Sequence, residues 1–244
     1  MRYPTPAKPA QQIRVLPYLY CVKQLRRVKS DALVVNYGVV VDARSVTVPH
    51  NLGTAAVFPA AMPNWNTICY LTGRTASNVT ITFNTPPVYR GAAITVRITT
   101  FGGSQSVPAD ALTAIITHSL GDTTTPILVT PTWNTVVYKT ARTGTTLSVG
   151  LSTAPSTAQS LLWSYYTHLS DAFAESVDIL ANERQKSIEH GLGIPFADIL
   201  ALPSWNASLW INDRTRTEDA ATMRFNVAPS ASETLDIVSG AAVA

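Results

Sequence analysis

His50-Asn51-Leu52-Gly53, nine residues, Pro63-Asn64-Trp65-Asn66, seven residues, Arg74-Thr75: this stretch decides the fold, because the chain contains it three times. The second copy is His118-Ser119-Leu120-Gly121, Pro131-Thr132-Trp133-Asn134 and Arg142-Thr143, with the same two spacings. The third is His190-Gly191-Leu192-Gly193, Pro203-Ser204-Trp205-Asn206 and Arg214-Thr215, again without a gap. Three of the four histidines and three of the five tryptophans therefore fall in register. A long-period repeat of this kind means that one structural unit is built several times over.

Outward from the motif, the flanking runs are strand-like. Asn78–Asn84 alternates, with Val79, Ile81 and Phe83 on one side and Thr80 and Thr82 on the other, the period of a half-buried strand. The first copy predicts strands at Val39–Val41, Ser45–Val48, Ala56–Met62, Thr67–Leu71, Asn78–Asn84 and Ala93–Thr99. The second predicts them at Leu112–Thr117, Ile127–Thr130, Thr135–Lys139, Thr146–Ser152 and Leu161–Tyr166. In the third, residues 169–189 have helical propensity, being rich in Ala, Leu and Glu. The repeat overrides this and predicts strands at Val177–Leu180 and Gln185–Glu189, with a helical turn at Ser170–Glu175. Arg216–Asp219 is expected to be a lengthened turn.

The expected fold is all-β: three tandem antiparallel six-stranded β-sandwich modules after an extended N-terminal arm. The expected boundaries are 1–30 for the arm, then 31–98, 99–168 and 169–244 for the modules. Each module of about 70 residues lies near the lower size limit for independent stability, so the three are expected to cover one another's flanks.

Charge is sparse, at 14% of residues, and unevenly placed. Residues 1–30 hold Arg2, Lys8, Arg14, Lys23, Arg26, Arg27 and Lys29 and no acid, which makes +7 and leaves 11 − 15 = −4 for the remainder. Arg14, Lys23, Arg26, Arg27 and Lys29 are the candidate anchoring residues of an arm that binds a partner surface; a solvated basic tail is the plainer reading. No signature for specific nucleic-acid reading accompanies them. No apolar run is long enough to span a bilayer as a helix, and the start of the chain lacks signal-peptide order, so synthesis in the cytoplasm is expected. Cys21 and Cys69 give neither a disulfide framework nor a metal cluster, and Cys69 reads as a small core residue.

The repeated residues suit structural work. Gly53, Gly121 and Gly193 can take positive φ in a turn. Trp65, Trp133 and Trp205 read as lids of the core, or as aromatic platforms for a sugar. His50, His118 and His190 read as hydrogen-bonded strand-end residues; as metal ligands they would have to converge on a three-fold axis. Arg74, Arg142 and Arg214 read as turn braces or as contacts between units. Asp42 and Asp110 match each other, but Asn182 replaces them in the third copy, so no shared carboxylate chemistry exists. No catalytic motif or cofactor-binding motif appears, and a non-enzymatic role is expected.

The order strand, His-x-Leu-Gly, strand, Pro-x-Trp-Asn, strand, Arg-Thr, alternating strand resembles the small β-sandwich modules of tailed-bacteriophage virion proteins. In outline these are similar to H-type lectin domains, which assemble as trimers. The resemblance implies that three fused modules form a pseudo-trimer in a single chain. It further implies a structural protein of a virion: a capsid decoration (cement) or collar component held by the arm to other virion proteins. The alternative is a tail-fibre module that binds a host surface glycan, with Trp163, Tyr165, Tyr166 or Trp210 as candidate aromatics.

Overall fold

The structure, a computed structural model, describes residues 24–28, 32–165, 172–191, 198–212 and 215–240. The first unit holds β2 (Ala32–Gly38), β3 (Ser45–Pro49), β4 (Phe58–Pro63), β5 (Cys69–Arg74), β6 (Asn78–Phe83) and β7 (Ala93–Thr99), preceded by β1 (Gln24–Val28). The second holds β8 (Gly102–Val107), β9 (Thr113–Thr117), β10 (Ile127–Pro131), β11 (Val137–Arg142), β12 (Thr146–Leu151) and β13 (Gln159–Tyr165). The third holds β14 (Ala172–Ile179), β15 (Gln185–Glu189), β16 (Asp198–Pro203), β17 (Leu209–Asn212), β18 (Ala220–Phe225) and β19 (Glu233–Gly240).

All three units have one topology. Their first, sixth and third strands form one sheet, ordered β2-β7-β4, β8-β13-β10 and β14-β19-β16; the second, fifth and fourth form the other, ordered β3-β6-β5, β9-β12-β11 and β15-β18-β17. Every pairing is antiparallel. The chain is thus three tandem six-stranded sandwiches. In each, the alternating apolar residues of the two sheets face one another, as Val79, Ile81 and Phe83 of β6 do toward Ile94, Val96 and Ile98 of β7.

The sixth strand of the first unit is buried on both faces. Along β7 not only Ile94, Val96 and Ile98 but also the intervening Thr95, Arg97 and Thr99 are buried, because a neighbouring unit covers the outer side of that sheet. Ala60 and Met62 of β4 belong to the core cluster of the second and third units, and Leu162 of β13 belongs to that of the first. Strands β4, β10 and β16 each touch the other two. Around this centre β5 lies on β10, β11 on β16 and β17 on β4. Each unit therefore lays its fourth strand on the third strand of the next, and the third unit returns to the first. The units close a pseudo-three-fold ring within one chain, a heterologous contact whose rotation closes.

Three expectations need correction. The strand expected at Val39–Val41 lies earlier, at Ala32–Gly38; Val41 and Asp42 form the turn after it. That turn requires a residue at positive φ, and Asp42, Asp110 and Asn182 supply it at 64°, 61° and 67°. A strand not expected at all is β8, Gly102–Val107, whose Gly-Gly-Ser-Gln-Ser sequence has little strand propensity and is held by pairing with β13. The helical turn expected at Ser170–Glu175 is overturned for residues 172–175: these are extended and pair with β19 from Ala172↔Gly240 onward. Tertiary pairing overrides local helix propensity there. Ser170 and Asp171 lie outside the described residues.

Candidate functional site

Strand direction sorts the loops into two ends. Gly38 lies opposite Ala93 and Pro63 opposite Ile94, so the turns at Asp42, the Pro-x-Trp-Asn segments and the loops around Pro87 share one end, here the proline end. The His-x-Leu-Gly and Arg-Thr turns share the other, the histidine end, where His50 N donates to Ser77 O at 2.7 Å and His118 N to Thr145 O at 2.8 Å.

The repeated motif residues mostly brace turns. The indole Nε1 of Trp65, Trp133 and Trp205 donates to the carbonyl of Thr85, Thr153 and Val227, at 2.9 Å in each unit. Trp65 packs edge-on against Phe83 and Trp205 against Phe225, at 4.9 and 5.0 Å between centroids. Both are buried and offer no open face to a sugar, whereas Trp133 is half-buried. His50 Nε2 lies 3.2 Å from Thr75 O while its Nδ1 accepts from Leu52 N, tying two turns together. Arg74 Nη1 donates to Val57 O at 2.9 Å, and Arg142 reaches the equivalent Thr125 O. Gly53 and Gly121 take positive φ, 72° and 74°. Gly193 and Arg214 lie outside the described residues, as do Arg14, Lys23 and Lys29 of the arm. Arg26 and Arg27 lie on β1, which pairs with the outer edge of β2.

Burial lowers the pKa of His118, with the nearby Arg142 charge adding to it, and burial is also the main cause that lowers that of His190. Both are held neutral by loss of hydration. Among the described residues no group of His, Cys, Asp or Glu has the arrangement to hold a metal ion, and the three histidines do not converge.

What the sequence did not announce lies between the units. A cavity of about 100 Å³ is lined by equivalent residues of all three, Pro63, Pro131 and Pro203 with Cys69, Val137 and Leu209, which centres it on the pseudo-axis. Burial pushes the Cys69 thiol well up, so it stays protonated. Lys139 Nζ reaches Asp236 Oδ1 at 2.6 Å, and Ser176 Oγ donates to the same oxygen at 3.0 Å. Thr130 Oγ1 donates to Pro59 O at 2.7 Å across the first two units, and Ser208 Oγ to Asn66 Oδ1 at 3.1 Å across the third and first.

The junction of the first two units stays more open. There Leu71, Arg74, Ser104, Thr132, Gln159 and Leu162 are among the residues that line a groove of about 390 Å³. Below it at the histidine end, Trp163 stacks on Tyr165 at 6.0 Å and Phe101 leans on Tyr165 at 6.1 Å. Phe101 is exposed; Tyr166 lies outside the described residues. At the proline end, large apolar side chains are exposed in every unit: Val40, Val88 and Tyr89 in the first, Leu112 in the second, Leu180 and Val227 in the third. Gln24, the first residue of β1, faces Asn36 near that end, so the N-terminal segment joins the body there.

Comparison with protein-family models, with curated proteins and with solved structures gives no match to this chain.

Proposed function

We infer that the chain is a non-enzymatic structural protein of a bacteriophage virion, a capsid decoration (cement) or collar component anchored through its N-terminal segment. The observation that carries this reading is the closed ring of three sandwiches with a single added strand, β1, on one of them. Such a body suits a site of local three-fold symmetry while contributing one basic arm per site rather than three. The exposed apolar turns share an end with the point where that arm joins, which supports attachment through the proline end. His50, the three repeated tryptophans, Arg74 and Arg142 brace turns, which supports a structural role for the motif.

The test is co-sedimentation with capsids of the parent particle, comparing the full chain with one lacking residues 1–30. The shortened chain should lose binding while keeping its β-type circular dichroism and cooperative melting. Full binding by a folded, shortened chain would refute anchoring by the arm.

One observation favours a second reading, host-glycan binding: the partly accessible Phe101–Tyr165–Trp163 cluster at the histidine end. Aromatic faces of this kind stack on sugar rings. A glycan array probed with the wild-type chain and with Phe101→Ala separates the two. Glycan signal that vanishes in the variant would favour the receptor-binding role.

A further inference from the structure

Pseudo-symmetry makes one difference between the units conspicuous. The outer edge of β2 is covered by β1, in the register Gln24↔Asn36, Leu25↔Val35, Arg26↔Val34, Arg27↔Leu33 and Val28↔Ala32. The equivalent strands β8 and β14 pair on one side only. Their outer edges carry backbone N–H and C=O groups without a sheet partner among the described residues. Such an edge is a template for another strand unless its side chains discourage pairing.

The two open edges differ in chemistry. β8 reads Gly-Gly-Ser-Gln-Ser-Val and carries no charge. β14 reads Ala-Phe-Ala-Glu-Ser-Val-Asp-Ile, and both Glu175 and Asp178 are exposed. Pairing with the sixth strand makes Glu175 the equivalent of Val35, since Glu175 lies opposite Ile237 as Val35 lies opposite Val96. Val35 is 1% exposed; a carboxylate there turns a core position into an acidic one at the strand edge. Two β14 edges would bring these acids together and repel, so the edge rejects its own kind. It suits a basic strand, because opposite charges on cross-strand and diagonal neighbours attract.

We propose that β14 accepts the basic N-terminal strand of a second copy of this chain, by exchange of β1 between copies. The chain supplies the matching chemistry itself. Residues 1–30 carry seven basic residues and no acid, and β1 is already the strand that covers the equivalent edge of the first unit. Carried onto β14, the observed register sets Leu25 opposite Glu175 and Arg27 opposite Phe173. Continued by one residue, it sets Lys23 opposite Val177. Lys23 and Arg27 then flank Glu175 as diagonal neighbours on one face, within reach for long side chains. β2 itself, Ala32–Gly38, contains no acid. Exchange trades five paired positions on β2 for five on β14 and adds the charge match. Since the donor and acceptor surfaces differ, the contact is head-to-tail, and copies join into an open row or a larger ring.

Sedimentation velocity on the full-length chain, across a concentration series, tests this. The wild type should self-associate, less so as salt rises, because the flanking charges are screened. Glu175→Lys/Asp178→Lys should raise the association midpoint by about tenfold or more, as should Lys23→Glu/Arg27→Glu. Mixing the two variants should restore association, since each supplies the charge the other lacks. Amide exchange should slow in Ala172–Ile179 on association and stay unchanged in Gly102–Val107. Exchange that slows in Gly102–Val107 and not in β14 would overturn the proposal. So would a wild type that stays monomeric throughout, association that neither variant changes, or a mixture that fails to recover it. The substitutions at Glu175 and Asp178 fall on exposed positions, and unchanged melting temperatures will separate lost pairing from lost folding.

Discussion

Lys139 and Asp236 form an ion pair at 2.6 Å between the second and third units, where the first and second units place Leu71 and Leu162. The third and first units place Ile211 and Thr95 at the same junction. One geometric contact is thus made three ways: ionic, apolar and mixed. A fourth strand carrying Lys139 set against Leu162 would bury an amine without a partner. The differences fix which unit follows which around the ring.

Both side chains of the ion pair are largely enclosed, so breaking it one-sidedly should be costly. Asp236→Leu or Lys139→Leu alone should lower stability by about 3–5 kcal/mol, because a buried charge loses its counter-charge. The double change should recover most of that loss, since it recreates the leucine pair of the first junction. Urea denaturation of the two single variants and the double variant gives the coupling directly. Equal losses in all three would show that the pair does not act as a unit.

Trp205 closes the third sandwich by packing on Phe225 and donating to Val227 O. Trp205→Phe keeps most of the packing and loses the donor, which should cost about 1 kcal/mol. Trp205→Ala should cost about 3–5 kcal/mol. Chemical denaturation followed by the remaining tryptophans would give both values.

Asp42, Asp110 and Asn182 share a left-handed turn conformation. Replacing any of them by Gly should leave stability nearly unchanged or raise it slightly. Asn182→Val should cost about 1–2 kcal/mol, because a β-branched side chain clashes in that region. Melting temperatures of the Gly and Val variants would discriminate, and equal values would remove the conformational explanation.

His118 and His190 carry folded-state pKa values below the ordinary histidine value, chiefly through burial. The unfolded chain therefore takes up protons first on acidification. Their stabilising effect is complete above about pH 6.5 and is lost as pH falls below that toward the folded pKa. The melting temperature should be flat just above neutrality and should fall as pH drops below about 6.5. The slope, rather than the level, should be shallower in His118→Gln/His190→Gln. An unchanged slope would assign the acid sensitivity to other groups.

The three-fold fusion was legible because His, Leu-Gly, Pro, Trp and Arg sit where a strand must stop or a turn must be braced, and such positions tolerate few residue types. Alternation in Asn78–Phe83 was legible for the same local reason. Strands whose identity comes from a neighbour were not. β8 has glycines where Trp163 lies over the chain, with a Cβ on Gly103 reaching within 2.7 Å of that ring. The start of β14 has helix-forming residues held straight by β19. The inter-unit contacts escaped for another reason. Lys139 and Asp236 are 97 residues apart, and neither belongs to the repeated motif.

The ring also sets an order on biosynthesis. Ser208 meets Asn66 across 142 residues, and Met62 is sealed only when β16 and β17 exist. At a ribosomal rate of about 5–20 residues per second, the first sandwich waits roughly five to twenty-five seconds with that flank wet. A nascent chain stalled after its second sandwich would leave the tunnel as an incomplete circle with an apolar gap, a natural client for a chaperone that holds open flanks until the last unit arrives.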